Sequence, residues 1–446
     1  MEMLTKSEAY MVIDRLINWA GSLDLQVKIS GREQGLTRFA GSEIHQNVSQ
    51  ENLVVELTAK EGKKRATVTT NRLSERELQE AVKEVRQKLE FAGEEELEIP
   101  FVKEPDDIES SQYDDKLLQK FDIAGRVKEL KKGLSQLTAD MEAAGSLSLH
   151  NNFLALGNTE GITRYARLVK ADFNSVVEKE GQTGYAALTS DNFADFSIEK
   201  LFSRAAAKAN QSEQPVNIEP KEYPVILEPL AVGGLLTYLS YLGFSARSLQ
   251  KGVSFLTDRL GEQVFSDKIS IYDDHKHNET FKLPFDMEGV PRQKLTIIEK
   301  GVARELAYDL KSARKDNCQS TGHSIGRPSM GGLPLHLVME SGESNREEML
   351  ASLDRGLLIT RFHYLNVVNP RQAIFTGLTR DGTFLIEEGE VKAPVQDLRF
   401  TDSLLKAFSR VTAISTEREK VANFSGFSLV PSLLLEGLKF TGRKET

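Results

Sequence analysis

A single cysteine, Cys318, stands in a chain of 446 residues. No disulfide can close within the chain, which predicts a reducing, cytoplasmic setting. One thiol also excludes cysteine-based zinc ribbons and Cys-x-x-Cys redox pairs. Aromatic residues are scarce at 7% and are not interleaved with a basic cluster, so a stacking platform for single-stranded nucleic acid has no support. Positive charge is in deficit, with 57 Lys and Arg against 66 Asp and Glu and a net charge of -9. Such a chain has no bulk attraction for phosphate backbones, and no nucleic-acid partner is expected. The opening Met1-Glu2-Met3-Leu4-Thr5-Lys6 lacks a basic head and an apolar block, so no signal peptide is predicted. No Walker motif and no G-x-G-x-x-G after a strand occurs. There is no fixed-period repeat and no low-complexity tail.

What is present suits a globular chain of two or three domains, with 39% hydrophobic and 28% charged residues. Residues 1–92 read as an N-terminal α/β domain. Ser7 is the expected cap of a first helix striped by Ile13, Leu16, Ile17 and Ala20. Leu25, Val27 and Ile29 alternate as a strand, and Leu36 to Phe39 form a further extended piece. A hairpin turns at Glu61-Gly62. Ser74 and Glu77 make a capping box ahead of Leu78, Ala81, Val82, Val85 and Leu89. Residues 93–112 are acidic, contain Pro100 and Pro105, and read as a linker. Residues 113–210 form a middle α/β domain. Its first helix is capped by Asp122, strands lie around Leu147, Phe153 to Leu156, Ile162 to Val169 and Phe173 to Val177, and a helix closes it at Ser197 to Ala209. The polar stretch Asn210 to Glu222 is the main boundary, and 222–446 is a β-rich C-terminal domain. There, Lys300-Gly301 and Arg380-Asp381-Gly382 read as hairpin turns. Ser344 with Glu347 is another capping box, with Gly356 as a stop.

The stretch from Tyr223 to Asp274 organises the rest. An apolar strand, Tyr223 to Leu227, runs into Pro229. Leu230 to Gly243 follows, apolar and with Gly233 and Gly234 at its centre. Residues from Pro229 to Ala246 carry no charge, which meets the crude length test for a membrane span. Three glycines and several Ser, Thr and Tyr in an isolated segment favour a buried core helix instead, and no membrane partner is expected.

Three clusters invite chemistry. Gly322-His323-Ser324-Ile325-Gly326 matches G-x-S-x-G, which works only on a strand-to-helix turn. Its flanks are polar upstream and carry Pro328, Gly331 and Gly332 downstream, so a glycine-rich binding loop is the better reading. Asp273, Asp274, His275 and His277 form a dense ligand set, but histidines at i and i+2 on a strand face opposite ways, and a solvated turn is expected. Cys318 with His323 lacks a recognised orienting partner for a nucleophile pair. His45, His150, His336 and His363 read as single structural histidines. No catalytic or cofactor-binding residue is assigned.

The order of pieces resembles the TldD/PmbA family, once called modulators of DNA gyrase. Four further phrases carry the likeness: Thr37-Arg38-Phe39-Ala40-Gly41-Ser42-Glu43-Ile44-His45-Gln46, the Gly157 to Gly161 turn, Pro284-Phe285-Asp286-Met287-Glu288-Gly289-Val290-Pro291, and Leu357 to Phe362. The resemblance implies an α+β protein, an N-terminal α/β region followed by a β-rich C-terminal domain. The TldD branch carries His-Glu-x-x-x-His on the helix after the glycine, and this spacing sets both imidazoles on one face beside a general base. Here those positions are Thr237, Tyr238 and Leu242. A leucine has no lone pair, and the reference pKa of a phenol is about 10. The TldD branch also uses a cysteine near its C-terminus as a third ligand, and Ile414 to Thr446 has none. The chain therefore looks like the PmbA (TldE) branch. What this implies is a non-catalytic, metal-free subunit of a cytoplasmic metalloprotease complex that cuts unfolded peptides or peptide precursors, with zinc held by a TldD-like partner. The alternative is a stand-alone homodimeric peptide-binding or scaffold protein.

Overall fold

The computed structural model describes residues 3–103, 108, 113–211, 214–327, 329–424 and 426–443. In its N-terminal half, helices α1 (Lys6–Ala20) and α2 (Glu75–Glu90), then α3 (Asp115–Lys120), α4 (Ile123–Leu134) and α5 (Ile198–Ala209), accompany six strands. These are β1 (Asp24–Ala40), β2 (Glu43–Glu61), β3 (Lys64–Thr70), β4 (Glu142–Asn158), β5 (Thr163–Lys179) and β6 (Gln182–Ser190). They form one antiparallel sheet in the order β3-β2-β1-β4-β5-β6. The segments expected as separate units, 1–92 and 113–210, thus share a sheet, because β1 pairs with β4 from Gln26↔Asn158 to Phe39↔Gly145. Alternation explains the layering. Odd residues of β1 and β4, such as Val27, Ile29, Leu147 and Leu149, lie under the helices. Leu154 and Ala166 on the opposite face meet Phe281, Phe285, Leu333 and Leu335 of the C-terminal half.

Local chemistry sets the helix ends, with two caps displaced by one or two residues from the expected positions. Ser74 and Asp122 cap α2 and α4 as expected. The cap of α1 is Thr5, boxed with Glu8, and not Ser7. The linker is not wholly free. Ile99 and Phe101 are buried, Phe101 beneath Lys60 and Arg65, while most of 104–112 lies outside the described residues.

The C-terminal half runs β7 (Glu222–Leu227), α6 (Pro229–Gly243), α7 (Ala246–Gln250), β8 (Ile271–Asp273), β9 (Leu295–Glu299), β10 (Val302–Ala303), α8 (Leu310–Lys315) and β11 (Leu337–Met339). It continues through α9 (Arg346–Ala351), β12 (Arg355–Asn369), β13 (Ile374–Glu387), β14 (Glu390–Pro394), β15 (Leu398–Ser403), α10 (Leu404–Phe408), β16 (Val411–Ala422) and β17 (Phe427–Arg443). Strands β17, β15, β13, β12 and β7 follow one another, and β7 also pairs with β17, closing a ring. The cap of α9 is Asn345 boxed with Glu348, one residue after the expected Ser344, and Gly356 lies inside β12. Lys300-Gly301 turns between β9 and β10 as expected. Arg380-Asp381-Gly382 is instead a bulge within β13: Ile359↔Thr383 is followed by Arg361↔Arg380, with φ +53° at Asp381 and +126° at Gly382. Bulges and turns ask for the same positive-φ residues.

Helix α6 lies against β12, β16 and β17. It is apolar almost all round, as a helix enclosed by protein must be. Ala231, Val232, Leu235, Leu236 and Leu239 are fully buried in the largest core. At about 1.5 Å per residue, its 15 residues are too short for a bilayer, and among the described residues no helix is long and apolar enough to cross one. Gly233 is required by close approach, since a Cβ there would sit 2.5 Å from Val421 Cγ1.

The two halves meet along a polar seam. Arg361 lies over the Tyr185 ring and pairs with Asp381, which accepts from Thr183. Lys420 joins Asp191 at 3.3 Å and Asp195 at 2.8 Å. Two clefts of about 620 and 650 Å³ open beside the Arg204–Glu419 pair, which lines both.

Candidate functional site

The larger cleft reaches the start of α6. Glu228 is the N-cap residue and Pro229 follows it at the first helical position, where a missing N–H costs nothing. The Glu228 carboxylate pairs with Lys208 Nζ, which also donates to Thr360 Oγ1 at 2.9 Å. Burial pushes the Glu228 carboxyl up, but the Lys208 ammonium and hydrogen bonds from Lys208 and Thr360 outweigh it and hold the group below its ordinary value. Lys208, Glu228, Arg346, Thr416 and Ser432 face this cleft. Its size is that of a small-ligand or side-chain pocket.

About two turns into α6 and beyond are the motif positions. Thr237 Oγ1 donates to the Gly233 carbonyl at 2.8 Å, so its hydroxyl is spent inside the helix. Tyr238 sits edge-on to Phe375 and Phe424, with ring centroids 6.1 Å apart in each case. Leu242 packs against the core. Tyr241, 6.0 Å from the Phe424 ring, is partly exposed. A zinc ion needs three or four N, S or O donors at close range. A spent hydroxyl, a phenol in an aromatic cluster and a leucine do not fit that need. Among the described residues, no group of three or more His, Cys, Asp or Glu is placed to hold a metal.

The remaining candidates are rearranged by the fold. Asp273, at the end of β8, is fully buried. Its Oδ1 lies 3.1 Å from His323 Nε2, and its Oδ2 accepts from the His336 backbone N–H at 2.7 Å. His323 Nδ1 contacts Thr321 Oγ1 at 3.0 Å. Both ring nitrogens of His323 are thus committed, and neither serves Ser324 or Cys318. Ser324 is itself buried, and its amide donates to Asp286 Oδ2 at 2.9 Å. It lies in an isolated bridge to Gly332 and not on a strand-to-helix turn. Cys318 is exposed, with burial and Asp316 raising its thiol pKa. That is the wrong direction for a thiolate nucleophile.

The expected solvated turn at Asp273 to His277 is solvated only in part. Asp273 and His275 point inward, 0% and 7% exposed. Asp274 instead accepts from the Lys276 amide, and His277 from the Glu279 amide. The glycine-rich loop is a clamp between chain segments. Gly322 has φ +72°, and a Cβ there would meet Pro291 O at 2.2 Å, so only glycine allows the 284–291 loop to close on it. The sequence offered no direct signal that Asp273 and His323, fifty positions apart, would pair. Asp286, inside the Pro284 to Pro291 phrase, was the nearest hint. His150, read as structural, pairs with Asp172 at 2.8 Å.

Residues 220–442 match the PmbA/TldA metallopeptidase C-terminal domain, half of the chain. The metalloprotease PmbA homolog of Haemophilus influenzae is 28% identical over 240 residues, 53% of this chain and 50% of that protein. Metalloprotease PmbA of Escherichia coli O157:H7 is 26% identical over 302 residues, 66% of this chain and 64% of that one. The chain therefore spans about half to just under two thirds of the length of the curated relatives it matches. The crystal structure of TldE from Thermococcus kodakarensis superposes with a TM-score of 0.86 at 20% identity, over 97% of this chain and 100% of that one. That likeness is one of fold. With the domain match, the relatives and the shared architecture in agreement, this chain belongs to the PmbA/TldD family.

Proposed function

We propose that this chain is the metal-free subunit of a cytoplasmic PmbA/TldD-type metalloprotease pair. It completes a chamber that admits unfolded peptides or peptide precursors, and the catalytic zinc belongs to a TldD-like partner. One observation carries the reading: α6 presents Thr237, Tyr238 and Leu242 where zinc chemistry needs two imidazoles and a carboxylate, and all three side chains are engaged in packing or in the helix itself. A sheet edge left unpaired among the described residues supports the peptide-handling part. Strand β2 pairs with β1 along its length, but β3 covers only Val55 to Glu61. The edge from Glu43 to Val54 is mostly exposed, and such an edge can hold an extended chain by backbone hydrogen bonds.

The test is reconstitution. Tagged chain from its native cell is expected to recover a His-Glu-x-x-x-His protein, and the mixture to hydrolyse an unstructured peptide that neither chain cleaves alone at a comparable rate. Recovery with itself only, and no stimulation of a TldD-like protein, would leave the homodimeric peptide-binding protein as the correct description.

A further inference from the structure

The two halves are joined unevenly. Among the described residues, one apolar cluster alone draws on both halves: Leu154 and Ala166 of β4 and β5 against Phe281, Phe285 and Phe427. Away from it the links across the seam are ionic or polar, and they follow one another. Lys420 comes first, with Asp191 and Asp195, its Nζ still 5.2 Å from the centre of the Phe427 ring. Arg204 then meets Glu419 at 2.9 Å, and Lys208 meets Glu228. Last, Thr183 donates to Asp381 at 2.8 Å. A cleft separates each link from the next. The first two links line one of about 620 Å³, the second and third one of about 650 Å³, and Lys208 shares with Thr183 and Asp381 a third of about 480 Å³. Thr183 opposes Glu178 on β5, twelve residues along that strand from Ala166, which at about 3.3 Å per residue is about 40 Å. The chain passes between the halves once, through residues 210–222.

We propose that the seam is a latched hinge. The N-terminal half swings on the Phe281, Phe285 and Phe427 cluster, and the ion pairs are straps whose release merges the three clefts into one groove along α5. The cluster is apolar and buried, so parting it would return hydrocarbon to water; it stays closed and serves as the pivot. The straps lose little on release. Arg204 and Glu419 are 34% and 33% exposed, and ion pairs that water reaches contribute little. Lys208 and Glu228 are buried, but taking both ions out of water offsets much of their attraction, and opening rehydrates them together. The clefts leave the straps flanked by space, so release does not break a packed surface. Polar contact between units of one chain is where relative motion is found. With a lever of about 40 Å, a swing of about 10° carries Thr183 about 7 Å from Asp381. The single crossing segment bounds the travel, and the motion needs no partner chain. A rigid joint would carry apolar contacts along its length, and this one carries them at one end.

Double electron–electron resonance on the full chain reads the motion. Cys318→Ser removes the native thiol. Spin labels at Glu180→Cys and Lys392→Cys, both exposed, span the far end of the seam, and labels at the exposed Thr163→Cys and Arg327→Cys span the pivot. Raising sodium chloride to about 1 M cuts the screening length to about 3 Å and weakens the straps. The far pair is then expected to gain a second distance, longer by about 5–10 Å. Its population should rise at least about threefold from a low-salt value of about a tenth or less. The pivot pair is expected to keep one distance throughout. Glu419→Gln removes one half-exposed strap without leaving a buried charge alone, and is expected to raise the long-distance population already in low salt. A far pair that keeps one and the same distance at both salt concentrations, in the parent chain and in Glu419→Gln, overturns the proposal. Equal broadening of both pairs overturns it as well, because that marks general loosening and not rotation about the apolar cluster.

Discussion

Replacing Asp273 with alanine is expected to remove about 3–5 kcal/mol of folding stability, the usual cost of stripping the carboxylate from a buried ionic contact, here one whose cation is Arg292. Three facts set that size. The carboxylate is fully buried. Burial alone would push its pKa up, yet the His323 and His336 contacts hold it well below the carboxylate range. Its removal leaves His323 Nε2 and the His336 amide without acceptors in a dry site. Asp273→Asn keeps the shape and one acceptor oxygen, and is expected to cost about 1–3 kcal/mol. Urea denaturation reads both: the midpoint moves down while the slope stays that of wild type. Against a total of about 5–15 kcal/mol for a typical folded domain, the alanine variant is close to the limit of what the fold tolerates. A loss under about 1 kcal/mol for Asp273→Ala would show that the Asp273–His323 junction does not hold the C-terminal loops together.

The same buried region shapes stability against pH. Burial pushes His336 down to about 4, against the pull of Asp273, and burial with the Arg292 charge pushes His275 to about 4. An unfolded histidine takes its proton at about 6.5. Between pH 6.5 and 4 the unfolded chain therefore binds protons that the folded chain refuses, and stability falls as pH falls. For His336 alone, a gap of about 2.5 units corresponds to about 3 kcal/mol. Glu288 acts in the opposite sense. Burial first, then the Asp286 charge, pushes its carboxyl up to about 8. From about 4.3, its unfolded value, to about 8 the folded chain holds a proton that the unfolded chain has released, so stability falls as pH rises. His336 and His275 outweigh Glu288 and give a net rise with pH up to about 6.5, to which His277 and His363, also lowered by burial, add; Glu288 gives a decline above it, in the same sense as its neighbour Asp286, whose carboxyl burial also raises. Urea midpoints at pH 5, 6.5 and 8 are expected to peak near 6.5. His336→Phe, which keeps an aromatic ring against Phe281, should flatten the acid limb. Glu288→Gln should flatten the alkaline limb. A variant that keeps the limb assigned to its residue would refute that assignment.

Much of this architecture could be read from local pattern. The stripe Leu78, Ala81, Val82, Val85 and Leu89 is the buried face of α2, because a helix that buries one side must repeat near 3.6 residues. The uncharged run from Pro229 could be read as a core helix because its composition, interrupted by glycine, suits close packing against strands. Non-local pairing was the part sequence hid. β1 looks like two short strands because Gly31 and Gly35 interrupt its alternation, yet those positions oppose Phe153 and Leu149 of β4 within one continuous ladder. Nothing local announces that Gln26 will find Asn158. At the candidate site the contrast is sharper. The residue types at Thr237, Tyr238 and Leu242 are legible directly, because donor capacity is a property of residue type. The junction of Asp273, Arg292, His323 and His336 is not, because it is assembled by three loops whose approach depends on Gly322 and on the 284–291 turn. Family likeness marked those segments without assigning them a role.

Metal content of the purified chain tests the central claim most directly. After exposure to excess zinc and exhaustive buffer exchange, elemental analysis by mass spectrometry is expected to find no stoichiometric zinc, and no peptidase activity to accompany the chain by itself. One tightly held zinc per chain, lost on substitution of Tyr238 or Thr237, would contradict the account.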